Sequence, residues 1–227
     1  MNSNKASRPF SSAHSLAELV IIVLAICAAI DLVAIAIEGY QVLSEALTDQ
    51  AKPIIGTLQL VTRLAAFVVF LIWFYRAHRN LQALGIRRSR YSSPWTVLLF
   101  LVPVLNLYFA YDLVKELWRQ SSPDLGFSDD FLKQQAFELK HYPSKTALVG
   151  SWWGFMIASV LAARFSLMIM ISDALAVVSS ILLILIVRSI DTRQEEKHRR
   201  LTLDAVTRKA IDLVVATEFS RAPQVRS

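Results

Sequence analysis

Two long apolar stretches in the first third of the chain set the strongest limit on its fold. Residues 16–37 are interrupted only by Glu18 and Asp31, and residues 54–75 form a second stretch of equal length. An α-helix rises about 1.5 Å per residue, so each stretch measures about 33 Å and can cross a hydrocarbon core of about 30 Å. The sequence therefore predicts membrane-spanning helices.

The overall composition supports the same prediction. Hydrophobic residues make up 55% of the 227 residues and charged residues 19%, whereas soluble domains have about 45–50% and about 25%. The chain has 6 Gly, 7 Pro and 1 Cys, which excludes collagen-like repeats, low-complexity disorder and a disulfide scaffold. We expect an all-α fold, a polytopic membrane helical bundle.

Two further apolar stretches predict spans at residues 147–170 and 173–190. Ser172 or Asp173 is suited to capping the second of these, so the turn between them is expected within residues 164–173. The total is then four transmembrane helices. The predicted organisation is an N-terminal segment (1–15), a transmembrane domain (16–190, with spans 16–37, 54–75, 147–170 and 173–190) and a basic, partly helical tail (191–227).

Residues 94–118 form a shorter apolar element that begins with the segment PWTVLLFLVPVL. This first part is about 18 Å long as a helix, too short to span a membrane. Pro103 removes a backbone hydrogen bond and Asn106 follows it, which predicts a helix break at residues 103–106. Two interpretations remain open: one Pro-kinked helix that spans fully, or a re-entrant hairpin that returns to the same side.

The distribution of Lys and Arg favours the re-entrant interpretation. Residues 1–15 and 76–93 carry basic side chains and no acid, and the tail is also basic, whereas the connection at residues 38–53 is mainly acidic. Basic segments stay in the cytoplasm. Four crossings place all three basic segments there, whereas a fifth crossing would put the tail outside. We therefore expect a multi-pass protein of the bacterial inner (plasma) membrane with both termini cytoplasmic.

Three segments carry a resemblance to a known family: FYRAHRNLQALG (74–85), SPW (93–95) and VPVLNLYFAYDLVKELWRQSSP (102–123). Together they resemble the bacterial integral membrane family called domain of unknown function 4328, over roughly residues 55–190. Ala110 departs from this family, whose members often have proline there. The resemblance implies an integral membrane fold and no assigned activity. The residues that match the family pattern are Tyr75, Arg76, Asn80, Gly85, Trp95, Pro103, Asn106, Glu116, Trp118 and Arg119.

A basic cluster follows the second predicted span and consists of Arg76, Arg79, Arg87, Arg88 and Arg90. One interpretation is a site for anionic lipid headgroups at the cytoplasmic face, to which each basic side chain contributes about 1 kcal/mol. The other, which we favour, is the basic anchor common in cytoplasmic loops of membrane proteins. We also expect Arg76 or Arg79 to pair with Glu116 and so to hold the re-entrant element against the second span.

Four charged residues are predicted to lie in the outer half of the membrane: Asp31, Arg63, Arg164 and Asp173. Charges at such depth are costly and usually face the bundle interior in pairs. One hypothesis is a polar cavity or ion path that the break at residues 103–106 also lines. The other, which we favour, is a pair of structural ion pairs, Asp31 with Arg63 and Arg164 with Asp173.

The sequence contains no Walker motif, no G-x-S-x-G and no dinucleotide-binding motif, and its four His residues are scattered. We therefore expect neither enzyme activity nor a cofactor. Apolar residues recur at helical spacing through residues 190–219, which favours binding to a partner protein, a second copy or the membrane surface. Mixed charges in the tail argue against nucleic acid. The leading hypothesis is a non-enzymatic accessory, sensing or scaffold protein; the alternative is a small transporter or channel-like protein.

Overall fold

The structure, a computed structural model, describes residues 10–43, 51–86, 100, 103–123, 146–165 and 168–221. These ranges contain five α-helices and no β-strand, so the predicted all-α class is confirmed for the described part of the chain. The helices are α1 (His14–Leu43), α2 (Ala51–Ala83), α3 (Pro103–Gln120), α4 (Ala147–Ala162) and α5 (Ile169–Arg221).

Three of the helices, α1, α2 and α5, are long and apolar enough to cross a membrane. The apolar helix α4 has 16 residues, or about 24 Å, which is less than the hydrocarbon thickness of about 30 Å. It is shorter than the span predicted at residues 147–170 because the backbone turns at residues 163–165. There the N–H of Arg164 bonds to the carbonyl of Leu161, the tighter spacing of a 3₁₀ turn.

The second helix continues for two turns beyond the predicted apolar span and ends in a Schellman motif. Gly85 has a φ of 83°; its N–H bonds to the Gln82 carbonyl (3.2 Å), and the N–H of Ile86 bonds to the Leu81 carbonyl (3.0 Å). Glycine adopts this left-handed conformation without the steric cost of a Cβ. The first arginines of the basic cluster therefore lie on a helix and not in a loop.

Residues 103–106, where the sequence analysis predicts a helix break, are helical, and α3 begins at Pro103. Pro103 is the first residue of α3, and Asn106 lies in the first turn of the same helix. A proline at the first helical position costs no hydrogen bond, because the N–H there has no partner within the helix. Residues 94–99 and 101–102, and the side chains of residues 103–108, lie outside the described part of the chain.

Helix α5 is central to the packing. It packs along α1 and α4, α1 also packs against α2, and α3 contacts α2, α4 and α5. The core is mainly aromatic and aliphatic. The fully buried side chains include Trp73 and Phe74 of α2, Leu113 and Leu117 of α3, and Ile190 of α5.

Phe100 and Ser121, which lie on either side of α3, are both near the same part of α2; we call residues 100–121 the α3 segment. Phe100, before α3, packs against Phe74 with ring centroids 5.1 Å apart. Beyond α3, Ser121 Oγ accepts a hydrogen bond (3.1 Å) from Gln194, which also donates to the Ala77 carbonyl (3.0 Å). Phe74 and Ala77 are about one helical turn apart. Phe100 and Ser121 thus lie near neighbouring turns of α2.

The last helix runs from the bundle into the tail without interruption. It has 53 residues, or about 80 Å, more than twice the thickness of a hydrocarbon core of about 30 Å. Residues 186–197 include several that are buried in the bundle, whereas residues 202–217 are all exposed. The tail that the sequence analysis separates at residue 191 is thus a direct extension of the last predicted span.

Candidate functional site

A charged cluster joins α1, α2 and α5; we call it the Arg63 cluster and define it as Asp31, Gln59, Arg63 and Asp173. Arg63 Nη2 lies 2.9 Å from Asp31 Oδ1 and 3.3 Å from Asp173 Oδ1. Gln59 Nε2 donates a hydrogen bond of 2.9 Å to the same Asp31 oxygen. The side chains of the two acids are 2% and 6% exposed, whereas that of Arg63 is 45% exposed. One guanidinium thus connects two buried carboxylates on different helices.

One ion pair of the Arg63 cluster is the expected one, and the other joins Asp173 to a different arginine from the one expected. Asp31 and Arg63 form the expected ion pair, but Asp173 also pairs with Arg63. Arg164 is exposed in the turn after α4, and it makes no ion pair with any residue that the structure describes. The expected Arg164–Asp173 pair is therefore not formed.

The start of α5 explains this change of partner. The helix begins at Ile169, so Asp173 lies in its second turn and reaches α2. Ser172 lies inside the helix as well and does not cap it. Its Oγ donates a hydrogen bond of 3.0 Å to the carbonyl of Ser159, which joins α5 to α4.

A cavity of about 300 Å³ lies beside the Arg63 cluster. Asp31 and Arg63 form part of its wall, together with small polar side chains of α4 and α5. The rest of the wall is mostly apolar, and Phe100 and Ala110 contribute to it from the α3 segment. The other lining residues used below are the aromatic side chains Phe67, Phe70 and Trp152 and the hydroxyl side chains Ser159 and Ser179.

A second polar site lies at the Gly85 end of the bundle, where the N-terminal segment binds to α2. Asn80 is 2% exposed. Its Nδ2 donates to the Ser11 carbonyl (2.8 Å), and its Oδ1 accepts from the Ser11 N–H (3.4 Å). Arg76 donates to the hydroxyl of Ser11. We call these three residues the Asn80 clasp, because one side-chain amide satisfies both backbone groups of Ser11.

The same N-terminal segment also contacts α5. His14 Nδ1 lies 2.8 Å from Asp191 Oδ2, and Ser12 Oγ donates a hydrogen bond to Glu195. The ring of Phe10 stacks on that of His198, with centroids 4.1 Å apart. The segment before α1 is therefore held between α2 and α5.

Two polar residues of α5, Gln194 and Lys197, are buried against the ends of α2 and α3, although the sequence analysis places them in a solvated tail. Gln194 bridges Ala77 and Ser121, as described above. Lys197 is 1% exposed, and its Nζ donates a hydrogen bond of 3.2 Å to the carbonyl of Gln120. Burial lowers the pKa of Lys197 to about 8, because desolvation disfavours the charged ammonium. A cation at this position also interacts favourably with the last carbonyls of α3.

The family-like residues of α3 have other contacts than those expected. Within the described part of the chain, neither Arg76 nor Arg79 forms an ion pair with Glu116, which instead accepts a hydrogen bond of 2.7 Å from Gln120. The guanidinium of Arg193 lies 4.0 Å from the ring centroid of Trp118, a cation–π contact. Arg119 lies in the last turn of α3.

The remaining predicted site residues are distributed as follows. Tyr75 is partly exposed on α2, and Asn106 lies on α3 with a side chain outside the described part. Among the described residues, no group of three or more His, Cys, Asp or Glu side chains is arranged to hold a metal ion. The predicted residues that lie outside the described part altogether are Arg87, Arg88, Arg90 and Trp95.

No curated protein and no solved structure matches the chain. The model of one protein family, described as Domain of unknown function (DUF4328), matches residues 40–192. This range includes α2, α3 and α4 and most of the bundled part of α5, and it covers Arg76, Asn80, Gly85 and Trp118. The expected resemblance is thus confirmed, and the chain belongs to the DUF4328 family.

Proposed function

We propose that this protein is a non-enzymatic scaffold or accessory protein of the bacterial inner membrane, which associates with a second copy through the exposed end of α5. The single observation that carries the proposal is the exposure of residues 202–217, which continue α5 beyond the bundle with no described residue packed against them. Helices in proteins gain most of their stability from packing of an apolar face. A second copy supplies such packing.

The exposed end of α5 carries an apolar stripe, and two further exposed apolar side chains, Ile211 and Val215, lie outside it. Residues 203, 206, 210, 213 and 214 follow the 3-4 spacing that places apolar side chains on one side of a helix. Leu203, Val206, Leu213 and Val214 are 56%, 60%, 69% and 59% exposed. Such a stripe, repeated on an identical helix, forms a self-complementary surface about a two-fold axis.

The opposite face favours a second copy over the membrane surface as the occupant. It carries Asp204, Arg208 and Asp212 together with the apolar Ile211 and Val215, and Lys209 lies at its edge, so its formal charge is zero. Helices that lie on anionic membranes have polar faces rich in Lys and Arg. In addition, Arg208 is spaced four residues from each acid, as in the charge pairs of a solvated helix.

The experiment compares the mass of the full-length protein in detergent or nanodiscs with that of two double variants. Leu203→Lys with Leu213→Lys places charges in the apolar face, and Arg208→Gln with Asp212→Asn alters the opposite face as the matched control. We expect the wild type and the control to be dimers by light scattering and the first variant to be monomeric. Equal masses for all three, together with an unchanged mass after truncation at Leu201, would contradict the proposal.

We further propose four crossings, by α1, α2, α4 and α5, with residues 94–118 entering and returning on one side. The contact of Phe100 with Phe74, and the bridge that Gln194 forms between Ala77 and Ser121, support this topology. So does the meeting of the N-terminal segment, the end of α2 and residues 191–197 at the Gly85 end. The N-terminal segment and the end of α2 carry Lys and Arg without acids, so the positive-inside rule favours the cytoplasm for that end. There Arg79, Arg87, Arg88 and Arg90 are proposed contacts for anionic lipid headgroups.

A second candidate function is that of a small transporter or channel-like protein. The observation that favours it is the cavity beside the Arg63 cluster, since buried charges that line a cavity within a membrane bundle commonly mark the path of a solute. Asp31 and Arg63 form part of the cavity wall, as that hypothesis requires. The transporter hypothesis also has residues 103–106 line the cavity. Their side chains lie outside the described part of the chain.

A further inference from the structure

We propose that the cavity beside the Arg63 cluster binds a small organic cation with an apolar body. The inference deepens the second candidate function by naming a ligand class. Binding of the cation does not require transport; movement of the cation across the membrane rests on the second candidate function. It is independent of self-association through α5.

The first argument is the charge of the Arg63 cluster. Two carboxylates, Asp31 and Asp173, share one guanidinium, so the ionised cluster has an excess of one negative charge. Both acids are buried, whereas Arg63 is nearly half exposed. An uncompensated buried charge is strongly destabilising, and it is offset when a cation lies near it. Asp31 and Arg63 line the cavity and Asp173 does not, so the charge that favours a cationic ligand over an anionic or neutral one is that of the whole cluster.

The hydrogen bonds of Asp31 show where that ligand would be held. Arg63 and Gln59 both donate to Oδ1, and Oδ2 has no partner among the residues that the structure describes. Asp31 is also part of the cavity wall. A carboxylate oxygen accepts several hydrogen bonds, so Oδ2 is available to an ammonium group inside the cavity.

The second argument comes from the aromatic wall. Phe67, Phe70, Phe100 and Trp152 line the same cavity, and the faces of aromatic rings attract organic cations. Their surfaces also accommodate an apolar body. The volume of about 300 Å³ is at the lower end of the range for ligand pockets, about 300–1,000 Å³, which indicates a small ligand.

The same wall argues against a bare metal cation. Ca²⁺ takes about 6–8 oxygen ligands and Mg²⁺ takes about six. The described oxygens of the cavity wall are one carboxylate and a few hydroxyls, and no metal-binding group is found among the described residues. An ammonium or quaternary ammonium group has no such requirement. A quaternary ammonium group needs only the negative charge and the ring faces.

The experiment measures binding of benzyltrimethylammonium to the full-length protein in nanodiscs of zwitterionic lipid, by quenching of tryptophan fluorescence and by the rise in unfolding temperature. Its neutral isostere neopentylbenzene and the anion phenylmethanesulfonate are the control ligands. We expect saturable quenching by the cation, with an affinity at least tenfold higher than that of either control. Trp152→Phe should remove most of the quenching while the temperature rise persists.

Variants of the acids then test the charge argument. Asp31→Asn and Asp173→Asn, made separately, keep the size of the side chain and remove the excess charge, and each should weaken cation binding at least tenfold. Asp191→Asn, at the Gly85 end, is the matched control and should leave the affinity unchanged. Equal binding of cation and isostere, or no loss of affinity in an acid variant that folds, would overturn the inference. If both acid variants fail to fold, absence of saturable cation binding to the wild type overturns it.

Flux of benzyltrimethylammonium into proteoliposomes is measured separately, so that the proposals of cation binding and of transport fail in distinguishable ways. Binding without flux contradicts transport and leaves the cation site in place. Absence of binding contradicts the site itself. Neither result alters the mass measured for the α5 variants.

Discussion

Replacing Lys197 with methionine should remove a pH-dependent destabilisation of the bundle. Lys197 lies about 42 Å along α5 from Ile169, beyond the length that a hydrocarbon core of about 30 Å requires. It is buried, and its pKa is lowered from 10.5 to about 8. This difference corresponds to a cost of about 3 kcal/mol for the protonated side chain in the folded protein.

The direction of the pH effect follows from the lower pKa in the folded state. The unfolded chain holds the proton more tightly, so protonation favours unfolding. The cost is fully present below pH 8 and disappears as the pH rises toward 10.5. Between about pH 7 and about pH 9.5, the free energy of unfolding of the wild type should therefore rise by about 2 kcal/mol because of Lys197. For a chain of this size, the gain corresponds to a rise of about 5 °C in the unfolding temperature.

The assay is thermal unfolding followed by circular dichroism in detergent across this pH range. Lys197→Met also removes the hydrogen bond to the Gln120 carbonyl, so the comparison concerns the pH dependence and not the absolute stability. We expect the difference between wild type and Lys197→Met to change by about 5 °C over the range. Lys209→Met, in the exposed part of α5, should follow the wild type. Parallel curves for wild type and Lys197→Met would refute the reasoning.

Two other predictions concern the Asn80 clasp and the topology. Asn80→Leu removes two partly buried hydrogen bonds to Ser11, worth about 1 kcal/mol each. It should accelerate chymotrypsin cleavage after Phe10 at least tenfold, as measured by mass spectrometry. Gln82→Leu, a change at an exposed neighbour, should leave the rate unchanged, and equal rates in the two variants would show that the clasp does not hold the segment. With Cys27 replaced by alanine, a cysteine introduced by Thr207→Cys should react with an impermeant maleimide only after the inner membrane is permeabilised. Reaction in intact spheroplasts would reverse the proposed orientation.

The features that could be predicted from the sequence depend on local composition. The lengths of the apolar stretches indicate α1, α2 and α5 directly, because a lipid environment requires about 20 consecutive apolar residues. The ion pair between Asp31 and Arg63 was predictable from their similar depth. The partner of Asp173 was not, because it depends on where the turn after α4 ends and α5 begins. Pro103 begins α3, and the sequence alone could not show on which side of it the helix lies, because a proline can end one helix or begin another.

The burial of Gln194 and Lys197 could not be read from residue type, because charged and amide side chains are usually exposed. A signal was nevertheless present, since both residues follow Ile190 at spacings of four and seven and so continue its buried face. The Asn80 clasp had no local signal. Its partner, Ser11, is 69 residues away in the sequence, and it lies outside the range that the family model matches.

The continuity of α5 has a mechanical consequence. Asp173 lies near its start, and Thr217 lies about 66 Å further along the helix axis. A tilt of about 5° about the level of Asp173 would displace Thr217 sideways by about 6 Å. The helix thus acts as a lever arm. The rotation is too small to change any backbone hydrogen bond of α5, yet the far end moves by more than the rise of one helical turn.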